Sequence, residues 1–299
     1  MLPVLRRFHL LALAIVLLGA AGFSRPAFAQ TAPPVVPTPT PELPEGKKIQ
    51  PVTGKDAQMP TAEQVVETAI IIYSKGGGRP LLAQVRRNGV ERGKMTRTAS
   101  DGRAEESSYE QRFVRGETAG KDKIRVDQKL PTMEYAIVYN EGRIWGIING
   151  TAFTPKQDAT AEFLSQSQHG IDALLRYKEN GSTLAFVGKE KLKGLDLWVI
   201  DLTDKDKGRT RYYLSANTDI RKSARVLWLE YEEPSPDGGA PVKYRRTFHD
   251  YRYSQNTLVP YRSVLYRDDK QVQEARVQTV TYGIKMDESF FQNPEAATN

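Results

Sequence analysis

The chain of 299 residues contains no cysteine, three histidines and three tryptophans. Without cysteine there are no disulfides, no thiol catalysis, no thiolate metal site and no acylated cysteine anchor. His9 falls in the apolar leader, which leaves only His169 and His249, too few ligands for a metal centre. His249 adjoins Asp250, but neighbouring strand residues face opposite ways, so the two make a poor acid–base couple. No Gly-x-Ser-x-Gly, Ser-x-x-Lys or His-Glu-x-x-His motif is present. The run Ser74-Lys-Gly-Gly-Gly-Arg-Pro80 lacks the spacing of a phosphate loop and reads as a helix stop followed by a hinge. The sequence calls for no catalysis and no cofactor.

Long apolar runs are also scarce. The one at Leu10–Gly22 follows Arg6-Arg7 and precedes Ala27-Phe28-Ala29, the pattern of a cleavable secretory signal over residues 1–29. It is shorter than the roughly 20 apolar residues that a membrane span needs. Removing it takes away Arg6, Arg7 and Arg25 and no acid, so the net charge falls from +7 to +4. That surplus suits anionic headgroups and is too small to argue for nucleic acid.

Residues 30–59 begin TAPPVVPTPTPELPEG, and proline at this density predicts an extended, disordered tether. A single folded domain is expected over residues 60–294, with 295–299 as a tail. It opens with a capping box, Thr61-Ala-Glu-Gln64, ahead of an amphipathic helix that stops at Lys75-Gly76. A second helix is predicted from the capping box Thr154-Pro-Lys-Gln157 to Asn180-Gly181. Everything else reads as strands, starting with Pro80–Arg97, at roughly ten-residue spacing with hairpin turns such as Asn149-Gly150. The expected class is α+β, an antiparallel up-and-down sheet of about eleven strands with two or three helices. An open sheet that large must curl, close or pack against something.

Several strands are apolar on both faces. Leu197 and Val199 oppose Trp198, Ile200 and Leu202, and Val226 and Trp228 oppose Leu227, Leu229 and Tyr231. Such strands are covered twice, and two helices cover only part of a large curved face. What remains is either solid core or a cavity for an apolar ligand.

Five segments, taken in order, resemble the periplasmic outer-membrane lipoprotein carriers of the LolA/LolB-like family. They are Lys123-Ile-Arg-Val-Asp127, Ile137-Val-Tyr-Asn-Glu-Gly-Arg-Ile-Trp145, Thr154-Pro155, Gly194-Leu-Asp-Leu-Trp-Val-Ile-Asp-Leu202 and Tyr282-Gly-Ile-Lys-Met-Asp-Glu-Ser-Phe-Phe291. The resemblance covers Pro60 to Pro294. Two features depart from it: the family's early arginine–tryptophan strand ending is absent, and an acidic loop, EYEEPSPDGGAP, is added. It implies an incompletely closed antiparallel β-barrel with helices across its mouth, holding acyl chains inside. Under that reading the protein is an exported, soluble, monomeric carrier or chaperone. Its partners would be an acylated lipoprotein or lipid cargo and a membrane-associated donor or acceptor protein. The candidate cavity lining is Val138, Trp145, Ile147, Phe186, Trp198, Ile200 and Trp228. Arg125 is the candidate for gating or headgroup contact, and it reads equally as a surface strand arginine. The same pocket would also serve an envelope sensory module that signals to a partner protein, and a secreted hydrolase is a third reading. A register shift of one residue would turn each lining residue to the opposite face.

Overall fold

A computed structural model describes residues 59–294 apart from 99–101, 220–221 and 236–237, and gives no side-chain placement for Asp158. The secretory signal, the Pro-rich tether except Met59, and the tail lie outside the described residues. No described helix is long and apolar enough to cross a membrane.

Helix α1 (Ala62–Tyr73) begins at the predicted capping box. Gln64 N donates to Thr61 Oγ1 at 3.2 Å, and Thr61 N donates to Gln64 Oε1 at 2.9 Å. Its apolar stripe (Val65, Val66, Ala69, Ile70, Tyr73) is fully buried, each large side chain contributing about 1.5–3 kcal/mol. A second helix, α2 (Gly78–Val85), occupies the start of the segment predicted to be extended. Pro80 signals no strand there, because it lies in the first turn of α2, where its missing N–H costs nothing. Gly76 and Gly78, at φ +96° and +67°, let the chain turn sharply between the two helices.

Thirteen strands form one sheet that does not close. The first six are β1 (Asn88–Thr98), β2 (Ala104–Val114), β3 (Lys123–Lys129), β4 (Glu134–Asn140), β5 (Arg143–Ile148) and β6 (Thr151–Phe153). They run as successive hairpins to one edge. Glu141-Gly142 and Asn149-Gly150 both have positive φ, the geometry that two-residue hairpin turns require. Helices α3 (Gln157–Gln168) and α4 (Ile171–Leu175) then carry the chain to the opposite edge. From there β7 (Thr183–Leu192), β8 (Leu195–Thr203), β9 (Arg209–Ser215), β10 (Val226–Glu233), β11 (Val242–Ser254), β12 (Thr257–Arg267) and β13 (Lys270–Tyr282) return. β13 finally pairs with β1 at the middle of the sheet.

Two expectations about the second helix are corrected. The capping box at Thr154 does not form: Lys156 is the N-cap and offers no side-chain hydrogen bond. The helix also breaks at His169-Gly170, where Gly170 is extended (φ −126°, ψ 175°). The His169 ring is held away from the helical path, stacked on Tyr231 with centroids 3.9 Å apart and 2.6 Å from Thr210 Oγ1 through Nδ1. The described residues form thirteen strands against the expected eleven or so.

The main core lies on one face of β8–β12. There α1 and α4 pack against Ile200, Tyr212, Leu214, Val226, Leu229 and Leu258. The opposite face is apolar too. Leu197, Val199 and Tyr213 are buried there with Trp228, whose ring stacks on Tyr213 at 4.4 Å. Val226 and Trp228 do not share a face as the alternation predicts. A bulge between them shifts the pairing with β9, so Val226 joins Leu229 and Tyr231 under the helices.

Candidate functional site: a cavity beneath the third helix

On the other half of the sheet the helix-covered face is not filled. A cavity of about 350 Å³ lies between α3, the start of α4 and the inner faces of β1–β4 and β11–β13. That falls at the small end of the range for ligand pockets, roughly 300–1,000 Å³. Its apolar wall is set by strand alternation. Ile124 and Val126 of β3 face in while Arg125 and Asp127 face out, and Val126 pairs across from Ile137 of β4. Met95, Phe113, Phe248 and Val259 continue the wall, and Phe163 and Ile171 roof it from the helices.

The polar part of the lining is organised around Asp172. Arg86 Nη1 donates to its Oδ1 at 2.7 Å, and Arg115 Nη2 donates to its Oδ2. Burial works against charge on Asp172, but Arg115, Arg86 and Arg176 outweigh it and hold the carboxyl well below the usual range. Arg86 is fixed further by Thr257 Oγ1 at 2.8 Å and the Leu258 carbonyl at 2.6 Å. Glu91 faces the cavity and accepts from Tyr109 Oη at 2.8 Å. Burial pushes its carboxyl upward, towards the neutral form. Arg246 lines the same cavity and contacts the Gln166 carbonyl at 3.5 Å.

A second hollow, of about 480 Å³, is lined by Lys207, Arg209, Arg211, Lys243 and Arg245 against Glu230, Glu232 and Asp269. Its walls are mainly charged and offer an acyl chain little. Among the described residues no three potential metal ligands are grouped.

The residues expected from sequence to line the cavity are placed elsewhere. Val138 and Trp145 are cross-strand partners on the outer face of β4 and β5. With Ile147 they pack against Phe291 of the C-terminal segment. Phe186, Trp198 and Ile200 are on the helix-covered face but belong to the filled core beneath α1. Trp228 is on the outer face with Tyr213. Arg125 is also outside, donating to Asp127 Oδ1 at 2.7 Å and to the Phe290 carbonyl at 3.3 Å. None of these residues is among those that line the cavity. The residues that do line β3 and β4 were accessible from the clean Ile124/Val126 alternation and its register with Ile137.

No family model matches the chain, and no curated protein does. Solved structures do match its fold. A DUF1329 family protein from Desulfovibrio piger aligns with a TM-score of 0.55 at 11% identity, over 79% of this chain and 99% of that one. A LolA superfamily protein from Nitrosomonas europaea aligns with a TM-score of 0.52 at 13% identity, over 78% and 98%. At such identities the likeness is one of architecture, and the chain therefore has the LolA-like fold: an open antiparallel barrel with helices laid over one face.

Proposed function

We propose that this protein is an exported, non-enzymatic carrier of lipid or acylated lipoprotein, which shields an acyl chain in the cavity beneath α3. One observation supports this above the rest. The helices fill one half of the sheet with core and leave a partly apolar cavity of about 350 Å³ over the other half. Each methylene exposed to water costs about 0.8 kcal/mol, so a sixteen-carbon chain in aqueous transit forfeits roughly 10 kcal/mol unless covered. A rigid wall roofed by a separate helix supplies such cover, and its function needs no bond to be made or broken. On this reading the apolar leader exports the carrier to the periplasm, where it works as a monomer. There a membrane-associated donor and acceptor would load and unload it.

The test is native mass spectrometry of the protein purified from its periplasm, followed by organic extraction. A mass increment that extraction removes, identified as an acyl lipid, supports carriage. A protein that purifies empty and takes up no fatty chain on incubation with vesicles is not a carrier.

A further inference from the structure

The cations of the cavity are not equivalent. Arg86 and Arg115 share Asp172, Arg115 and Arg176 share Asp122, and Arg97 lies 3.4 Å from Glu162. Arg246 differs: among the described residues no carboxylate comes within ion-pair range of it. Its hydrogen-bond contact is the long one to the Gln166 carbonyl, and its Nη2 is buried with no acceptor. Burial pulls its guanidinium below the ordinary range, and Glu162, which acts on it from beyond ion-pair distance, does not offset this. A half-buried guanidinium whose Nη2 is buried with a donor to spare is matched by an oxyanion, which it binds through short, charge-assisted hydrogen bonds. The apolar wall of Met95, Phe113, Ile124 and Val126 belongs to the same cavity, so the anion it suits is one that carries a hydrocarbon tail.

We propose that Arg246 is the headgroup site of this cavity, binding the phosphate or carboxylate of an anionic amphiphile whose tail lies along the β1–β3 wall. The proposal rests on the carrier reading and adds the charge class of the cargo. Cargo with a neutral or cationic head would leave Arg246 without a bonded anion.

Isothermal titration of the full mature chain with ten-carbon ligands below their micelle concentrations decides it. The probes are decyl phosphate, decanol, decyltrimethylammonium and inorganic phosphate. Decyl phosphate is expected to bind about tenfold or more tightly than decanol, the difference one charge-assisted hydrogen bond makes, with decyltrimethylammonium weakest. Arg246→Gln should lower decyl phosphate to the affinity of decanol and leave decanol unchanged, while Arg246→Lys keeps part of the preference. Equal binding of decyl phosphate and decanol by the wild type overturns the headgroup site and leaves the carrier reading standing. So does an Arg246→Gln variant that loses both ligands alike, since packing and not charge would then be its role. Inorganic phosphate binding as tightly as decyl phosphate would make this a free-anion site and overturn the amphiphile. If none of the ten-carbon ligands binds, the carrier reading falls and this inference falls with it. Should Arg246→Gln fail to fold, the wild-type ranking and Arg246→Lys still give the answer.

Discussion

Arg86 and Asp172 meet at 2.7 Å and tie the C-cap of α2 to the first turn of α4. Arg115, just past the end of β2, takes the other carboxylate oxygen, so one acid secures three separate elements at the edge of the cavity. Replacing a half-buried partner of such a cluster leaves the remaining charges uncompensated. Asp172→Asn is expected to cost about 2–4 kcal/mol in urea unfolding at pH 7. The pH dependence has a definite sign. The folded carboxyl is held below its ordinary value of 3.8, so its contribution is complete above that value and is lost as the pH falls beneath it. The difference between wild type and variant should therefore hold from pH 7 down to about pH 4 and shrink only as the pH falls further. A difference that stays constant would mean that the charge of Asp172 contributes nothing.

The end of α1 is locked to the sheet by two phenols. Tyr73 Oη and Tyr251 Oη lie 3.0 Å apart, Tyr251 donates to the Val226 carbonyl at 2.5 Å, and Val226 N donates to Tyr73 Oη at 3.3 Å. Burial pushes Tyr73 up to about 12 and Tyr251 well above its ordinary value, so both stay neutral donors. Tyr251→Phe strands the Val226 carbonyl and should cost about 1–2 kcal/mol. Because the groups act as one network, the Tyr73→Phe, Tyr251→Phe double variant should cost less than the two single changes added together. Strict additivity in denaturant unfolding would show that the hydroxyls act independently.

How far the sequence carried this reading depends on the kind of signal. The capping box at Thr61 was legible because its hydrogen bonds are local and form with α1 itself. The hairpin meander was legible because Asn-Gly and Glu-Gly turns separate apolar strands. Thr154 misled, since its pattern matches a cap but the helix starts later, at Gln157, with Lys156 as its N-cap. The cavity face was not legible from β4 alone, since Tyr135, Ile137 and Tyr139 alternate with Ala136 and Val138 and both faces are apolar. Which face is the cavity depends on distant chain: α3 covers Ile137, and Phe291 covers Val138. The bulge at Leu227, which moved Trp228 away from Val226, also leaves no local mark, because every residue around it is apolar.

The two faces of the sheet give a paired prediction, one on β13 and one on β5. Ala275 lines the cavity, so Ala275→Phe should reduce decanol binding by about tenfold or more while moving the melting temperature by only a few degrees. Trp145 is 9% exposed and packs against Phe291 outside the cavity. Trp145→Ala should cost about 3–5 kcal/mol of stability and leave decanol affinity of the folded fraction unchanged. Its Nε1 is buried without an acceptor, so Trp145→Phe should be far milder. Loss of binding in Trp145→Ala at intact stability would move the binding site to the outer face.

His169 makes the break between α3 and α4 sensitive to acid. Burial, reinforced by the nearby charge of Arg246, pushes its pKa down from 6.5 to about 4. Between those values the unfolded chain takes up a proton that the folded one refuses. Stability is therefore full above about pH 6.5 and declines as the pH falls to about 4, by roughly 3 kcal/mol at about 1.4 kcal/mol per unit. His169→Gln removes the titrating group while keeping a polar partner for Thr210. It should start less stable than wild type at pH 7.5 and lose much less between pH 6.5 and 4.5. This window lies above that of Asp172, so urea midpoints measured across both ranges separate the two groups. Parallel declines for wild type and His169→Gln would show that the ring is protonated as readily in the folded chain as in the unfolded one, and that its stack on Tyr231 is not a barrier to charge.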